Sequence, residues 1–148
     1  MSLKDMSNEE FIRRLYSVFE QNGLGGMLTE QRAESFLRLT EIMLEENEKY
    51  NLTAITEPDK IILNHYADCA ALAAKMPEGA SVCDIGCGAG FPTLPMAIVR
   101  PDLKILGVDA TAKRTAYVEA VARALLPLKM PQAEKTSTFT PWKRLKTL

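Results

Sequence analysis

The segment of this 148-residue chain best suited to chemistry is Asp84-Ile85-Gly86-Cys87-Gly88-Ala89-Gly90. Glycines at alternate positions let a backbone turn sharply and approach a ligand that a Cβ would repel. The segment ends an apolar run, Ser81–Ile85, and precedes a helical stretch from Thr93 to Val99. That is the context a nucleotide-type loop requires. Ser81–Ile85 reads as a short buried strand. A second strand, Leu103–Val108, ends at Asp109. In an open parallel sheet, ligands bind beyond the carboxyl ends of the strands, so Asp109 and the glycine loop belong to one site. A carboxylate there accepts from both hydroxyls of an adenosine ribose and repels a 2′-phosphate.

Spacing separates two ligand classes. A dinucleotide site favours Gly-x-Gly-x-x-Gly, so that a helix N-terminus meets a pyrophosphate. Here the glycines stand at 86, 88 and 90, and Phe91-Pro92 follows. A bulky residue and an imide without an N–H are poor phosphate binders. Asp84, two residues before the first glycine, suits a cation. S-adenosylmethionine carries a sulfonium and an ammonium and no phosphate, so a methyl donor is favoured over a dinucleotide. The bland alternative is a strand–turn–helix corner with glycines for packing alone. The strand before, the helix after and Asp109 weigh against it.

The remaining candidates are weaker. His65, the only histidine, lies on the apolar side of a helical stretch and reads first as a hydrogen-bonded core residue. Asp68, three residues on, shares its face. Cys69, Cys83 and Cys87 are an odd count without a Cys-x-x-Cys pair, so they read as reduced thiols and no metal is expected. Lys113 and Arg114, in the first turn of the last helix, suit RNA phosphates and a solvated surface equally. No catalytic triad is visible.

The elements that position these residues follow from periodicity. Ser7-Asn8-Glu9-Glu10 is a capping box, in which a hydroxyl and a carboxylate satisfy each other's backbone donors. Phe11, Ile12, Leu15, Val18 and Phe19 then repeat at helical spacing, and Gly23, Gly25 and Gly26 stop the helix. Thr29 caps a second helix with Ala33, Phe36, Leu37, Met43 and Leu44 on one face. A third starts at Pro58-Asp59, where proline suits the first turn, with the stripe Ile61, Ile62, His65, Cys69, Leu72 and Met76. After Pro77-Glu78-Gly79 the pattern becomes strand–helix–strand–helix, the start of a parallel sheet. The last helix, capped by Thr111, presents Tyr117, Val118, Val121 and Leu125.

Length and composition bound the rest. At 16.4 kDa, with 47% apolar and 25% charged residues, the chain suits one domain with a single core. A net charge of −1 shows no global attraction to nucleic acid or membrane. No apolar run has membrane-spanning length and no secretory signal pattern opens the chain, which reads as cytoplasmic. Met1–Lys4 reads as a leader, with Met6 as an alternative start. Residues 125–148 carry five bases and one acid, or +4, against −5 for the rest.

The combination of motifs resembles the bacterial small-subunit ribosomal RNA guanine-N7 methyltransferases, the glucose-inhibited division protein B family. The resemblance is strongest from Tyr50 to Val121 and covers about residues 7–125. It rests on Tyr50-Asn51-Leu52-Thr53, His65 with Asp68, the run from Asp84 to Pro92, Leu94-Pro95, Val99-Arg100-Pro101, Val108-Asp109 and Lys113-Arg114. Cys69 stands where serine is commoner, and Thr93 where glycine is commoner; neither is expected to abolish cofactor binding. The resemblance implies an α/β fold: the first half of a Rossmann-like S-adenosylmethionine-dependent methyltransferase behind an N-terminal helical region. Gly86, Gly88, Gly90 and Phe91 map onto the donor loop and Asp109 onto the ribose carboxylate. For His65 the resemblance favours a structural or substrate-side role and not that of a base, and His65, Lys113 and Arg114 are the candidates for contact with RNA. The implied acceptor is N7 of a guanine in small-subunit rRNA, and the implied partner is the small ribosomal subunit. Guanine N7 carries a lone pair, so transfer needs no general base.

Three regions follow: a helical region at 1–78, the first half of the methyltransferase domain at 79–125, and a basic tail at 126–148. The family's later motifs are not found after Leu125. Permissible codons read one nucleotide earlier give an alternating strand pattern over Lys135–Thr140. A truncated or frameshifted, inactive product is therefore expected, with a natural short paralogue as the alternative. The tail is expected to be loosely packed, with Phe139 and Trp142 available to an exposed sheet edge. The competing function is a non-catalytic nucleotide- or RNA-binding fragment.

Overall fold

The computed structural model describes residues 3–125, and the expectations for the 126–148 tail lie outside them. Ser7 and Thr29 act as the sequence dictates. The Ser7 hydroxyl accepts from the Glu10 N–H at 3.1 Å and starts α1 (Asn8–Gln21). Thr29 accepts from the Arg32 N–H at 3.2 Å and starts α2 (Glu30–Tyr50). The reciprocal half of the expected capping box is not seen. The Glu10 carboxylate instead takes Arg14, one turn along the helix, because a charged partner outcompetes a neutral amide.

The third helix departs from its expected geometry. It opens with Pro58 in the first turn, as expected, over α3 (Pro58–Lys60). It then widens into a π-helical segment (Ile61–Ala67) before α4 (Asp68–Ala74). The wider turn shifts the stripe expected from 3.6-residue spacing. Ile61, Ile62, Tyr66 and Ala67 are buried, followed by Cys69, Ala70 and Ala73. Leu72, expected on the apolar face, is 41% exposed, and Tyr66 is fully buried in the core.

Aromatic residues tie these helices together. Phe19 of α1 meets Phe36 of α2 at 5.8 Å between ring centroids, and Phe36 meets Tyr66 at 4.6 Å. Around them Phe11, Leu15, Leu39, Met43, Ile61 and Ile62 are fully buried. Each such side chain contributes about 1.5–3 kcal/mol by leaving water. Tyr66 needs a partner for its hydroxyl, and buried Thr40 supplies one at 2.6 Å. Thr40 donates its own proton to the Phe36 carbonyl at 2.7 Å, so Tyr66 is the donor of the pair. Burial pushes the Tyr66 phenol above its ordinary pKa.

The second half is α/β. β1 (Ser81–Ile85) pairs in parallel with β2 (Lys104–Val108), with Ser81 opposite Lys104 and Ile85 opposite Val108. α5 (Thr93–Val99) occupies the crossover, and α6 (Ala112–Leu125) follows β2. α5 contacts both α2 and α4, and α6 contacts α2. One core therefore runs from Met6 to Leu125. β1 stands where expected but is not buried: Ser81 and Cys83 are exposed and Ile85 is 84% exposed. Among the described residues, helices cover only the face bearing Ile105 and Gly107. No helix among them is long and apolar enough to cross a membrane.

Arg100 joins the two halves. Its guanidinium donates to the Ala73, Met76 and Pro77 carbonyls at 2.8, 3.1 and 3.3 Å, capping the end of α4. It also grips Asp102 through two bonds of 2.7 Å. Asp102 accepts from the Gly79 N–H at 2.9 Å. The motif Val99-Arg100-Pro101 thus has a structural task.

Replacing either member of the buried hydroxyl pair has unequal consequences. Tyr66→Phe removes one donor and leaves Thr40 bonded to Phe36, at an expected cost of about 0.5–1.5 kcal/mol. Thr40→Val strands a buried phenol and is expected to cost about 1–3 kcal/mol. Urea unfolding of both variants checks the order.

Candidate functional site

The carboxyl ends of β1 and β2 lie side by side, and the loop after β1 is closed by β2. The Val108 carbonyl accepts from the Gly86 N–H at 2.6 Å and the Cys87 N–H at 2.9 Å. The Gly88 N–H donates to Asp109 Oδ2 at 3.0 Å, and the Thr111 N–H to Asp109 Oδ1 at 2.8 Å. Asp109 is thereby held at the mouth of the loop. The Thr111 amide, helped by that of Gly88, keeps its carboxyl below the ordinary carboxylate range against the opposing effect of desolvation. Each oxygen retains a further lone pair for a ligand.

The glycines have different tasks. Gly86 has φ +79°, and a Cβ built there would meet nothing within 4 Å. Its side is open space that a ligand can enter. Gly90 has φ +92°, and a Cβ there would lie 2.4 Å from Leu94 Cδ1 and 2.9 Å from Leu94 Cγ. Gly90 lets α5 pack closely. Gly107, opposite Asp84, makes room for Cys87 Sγ, which a Cβ would meet at 3.2 Å.

Phe91 turns toward the helical region. Its ring stacks on His65 at 4.2 Å and 7°, and lies 6.2 Å from Tyr66. His65 Nε2 is 3.2 Å from the Thr53 hydroxyl, which also accepts from the Ile55 N–H at 3.1 Å. Asn47 Oδ1 accepts from the Thr53 N–H at 2.8 Å. Thr53, His65 and Phe91 therefore meet beside the glycine loop. Desolvation holds the His65 imidazole below its ordinary pKa, with Asp68 opposing.

Lys113 and Arg114 are exposed in the first turn of α6, and the Arg114 charge reaches Asp109 and Cys87. Lys113 Nζ sits 3.5 Å above the Tyr50 ring. Both line a groove of about 490 Å³ between α2 and α6, together with Tyr50, Leu52 and Tyr117. The Tyr117 hydroxyl has no partner among the described residues, and burial followed by the Glu46 charge pushes it up to about 12. Thr111 lines this groove and bonds Asp109, which links it to the loop. Among the described residues no group of three His, Cys, Asp or Glu side chains could hold a metal. Cys69 and Cys87 are buried thiols, pushed up to about 12 and about 11 by desolvation.

The sequence marks Thr93 only as a departure from glycine and does not assign its contact. It is fully buried and its Oγ1 donates to Asp84 Oδ2 at 2.5 Å. The signal was present: a hydroxyl opening the helix after the loop faces the end of the strand before it. Tyr50 as a platform for Lys113 had no signal, because α2 and α6 lie far apart in sequence.

Comparison with known proteins identifies the family. Residues 32–131 match the family model described as GidB: rRNA small subunit methyltransferase G. The chain is 40% identical over 124 residues to the Ribosomal RNA small subunit methyltransferase G of Leuconostoc citreum, covering 81% of this chain and 49% of that protein. The protein of the same name from Leuconostoc mesenteroides is 42% identical over 124 residues, with the same coverage. That from Desulfitobacterium hafniense is 41% identical over 115 residues, covering 72% of this chain and 48% of that protein. The chain spans about half the length of the curated relatives it matches.

Two expectations follow from the site. Gly86→Ala meets only the backbone penalty of positive φ, about 1–2 kcal/mol. Gly90→Ala adds overlap with buried Leu94, a further cost of about 1–3 kcal/mol, so denaturant unfolding is expected to rank it lower. The pH dependence of His65 has a definite sign. Its native pKa lies below the unfolded value of about 6.5, so the unfolded chain binds the extra proton first. Its contribution to stability is therefore full above that value and is lost as pH falls through the window below it. An NMR titration of the imidazole, compared with pH-dependent unfolding of wild type and His65→Gln, measures both.

Proposed function

The chain belongs to the rRNA small subunit methyltransferase G family, and from that premise we propose that it supplies the donor-binding half of an S-adenosylmethionine-dependent RNA methyltransferase. The observation that carries this reading is the open side of Gly86, flanked by two carboxylates. A Cβ at Gly86 would meet nothing within 4 Å, and one at Gly88 only the Gly86 carbonyl oxygen at 3.8 Å. Asp84 and Asp109 suit a cationic ligand that carries a ribose and would repel a phosphate. Bound adenosylmethionine supplies an electrophilic methyl group on a sulfonium.

The residues of the chain then have separable tasks. Gly86 and Gly88 admit the ligand to the backbone, and Gly90 fixes the helix that closes the loop. Asp109 accepts from the ribose hydroxyls while its bonds to Gly88 and Thr111 hold it still. The stacked pair of Phe91 and His65 walls the loop on the side of the helical region. Lys113 and Arg114 meet the phosphates of the RNA, with Tyr50 and Tyr117 beside them. The acceptor in this reading is guanine N7 of small-subunit rRNA. Its lone pair is free at neutral pH, so no side chain has to remove a proton. Catalysis then rests on positioning and on excluding water, and needs no triad.

A second reading has its own support. The chain spans about half the length of its relatives, so a donor-binding unit without turnover fits the same residues. Calorimetry with adenosylmethionine and NAD, followed by incubation with labelled donor and small ribosomal subunits, separates the readings. Binding with methyl transfer supports the enzyme. Stoichiometric binding without transfer supports the non-catalytic unit, and tighter binding of NAD overturns the donor assignment. Asp109→Ala is expected to weaken donor binding by about 1–3 kcal/mol, the usual loss for a charged hydrogen-bond partner.

A further inference from the structure

Asp84 is half-buried, and among the described residues no lysine or arginine pairs with it. Its hydrogen bond comes from Thr93, whose Oγ1 donates to Oδ2 at 2.5 Å. A hydroxyl held at 0% exposure has to place its proton on a nearby acceptor, and the bond to a carboxylate is stronger than one to a neutral group. The seat of this hydroxyl is built into the sheet. Asp84 lies opposite Gly107, and a Cβ at Gly107 would approach Thr93 Oγ1 to 3.4 Å and Cys87 Sγ to 3.2 Å. A Cβ at position 107 would thus press on Cys87 and lie in van der Waals contact with the threonine that grips Asp84.

We propose that Thr93 is a positioning residue that locks the Asp84 carboxylate in the orientation that receives the ammonium of the donor's amino-acid end. The proposal rests on the donor reading above. Thr93 saturates one lone pair of Oδ2 and leaves the other acceptor sites of the carboxylate for the cation. A half-buried carboxylate without a countercharge is costly alone and favourable once a cation arrives. Asp109 is not the equivalent group, because the Gly88 and Thr111 amides hold it at the end of the second strand, where this reading places the ribose. The glycine that the family resemblance leads one to expect at position 93 has no hydroxyl. This chain therefore orients its acid by a contact that such a sequence cannot make.

Two ligands separate the ends of the donor. S-adenosylhomocysteine carries the ammonium, whereas 5′-methylthioadenosine has the same nucleoside and lacks the amino-acid end. Calorimetry on the full chain is expected to show Thr93→Val weakening adenosylhomocysteine by about tenfold, the scale of one charged hydrogen bond, with methylthioadenosine changed by less than about twofold. Thr93→Ser, which keeps the hydroxyl, is expected to restore most of the affinity. Thr93→Ala, which removes the hydroxyl and the methyl and adds no bulk, is measured alongside and is expected to show the same selective loss, so that a folding defect in the valine variant does not remove the readout. Asp84→Asn is expected to give the same selective loss, and adding Thr93→Val to it little more. Equal losses for both ligands, no loss at all, or additive losses in the double variant overturn the proposal and leave the donor reading standing. A wild-type chain that binds neither ligand overturns both.

Discussion

Parallel strands cannot be joined by a tight turn, and the pairing of β1 with β2 makes every other element necessary. The chain has to leave the end of β1, travel back along the sheet and enter β2 in the same direction. The glycine loop makes the exit and α5 makes the return. Register then decides the chemistry. With Ser81 opposite Lys104 and Ile85 opposite Val108, the loop and Asp109 emerge at the same edge. A slip of one residue would turn Asp84 away from Gly107 and separate Gly88 from Asp109.

A two-stranded sheet has too little apolar surface to hold itself. The helical region supplies it through a run of aromatic contacts, Phe19 to Phe36, Phe36 to Tyr66, Tyr66 to Phe91 and Phe91 to His65. This run ends on the residue that follows the last loop glycine. The π-helical widening brings Tyr66 into the core and leaves His65 half-buried beside the loop. Arg100 fastens the same two regions at the opposite end of the strands. The loop is thus held from two sides.

The two carboxylates are organised by donors of the chain itself. Asp109 is fixed by two amides and Asp84 by one hydroxyl, so binding has little side-chain freedom left to remove. The groove between α2 and α6 is different in kind. Its cations, Lys113 and Arg114, are exposed, and Lys113 is held by a ring face. Rigid carboxylates suit a small cationic ligand, and long exposed cations suit a flexible polyanion.

Much of this was written in local sequence. The Ser7 and Thr29 caps, the proline start of the third helix, the bounds of β1 and α5, and the conjunction of the glycine loop with Asp109 follow from spacing and residue type. Each depends on neighbours within a few positions. The π-helical segment was not legible, because the choice between turns of different width is made by what Tyr66 can pack against. Nor was the exposure of Ile85, which an apolar run cannot reveal without knowing how many faces of the sheet are covered. The partnerships of His65 with Phe91 and Thr53, Tyr50 with Lys113, and Arg100 with the end of α4 belong to tertiary structure alone. Periodicity assigns a residue to a face. Which residue meets it across the core is set by register and helix packing between segments that the sequence lists far apart.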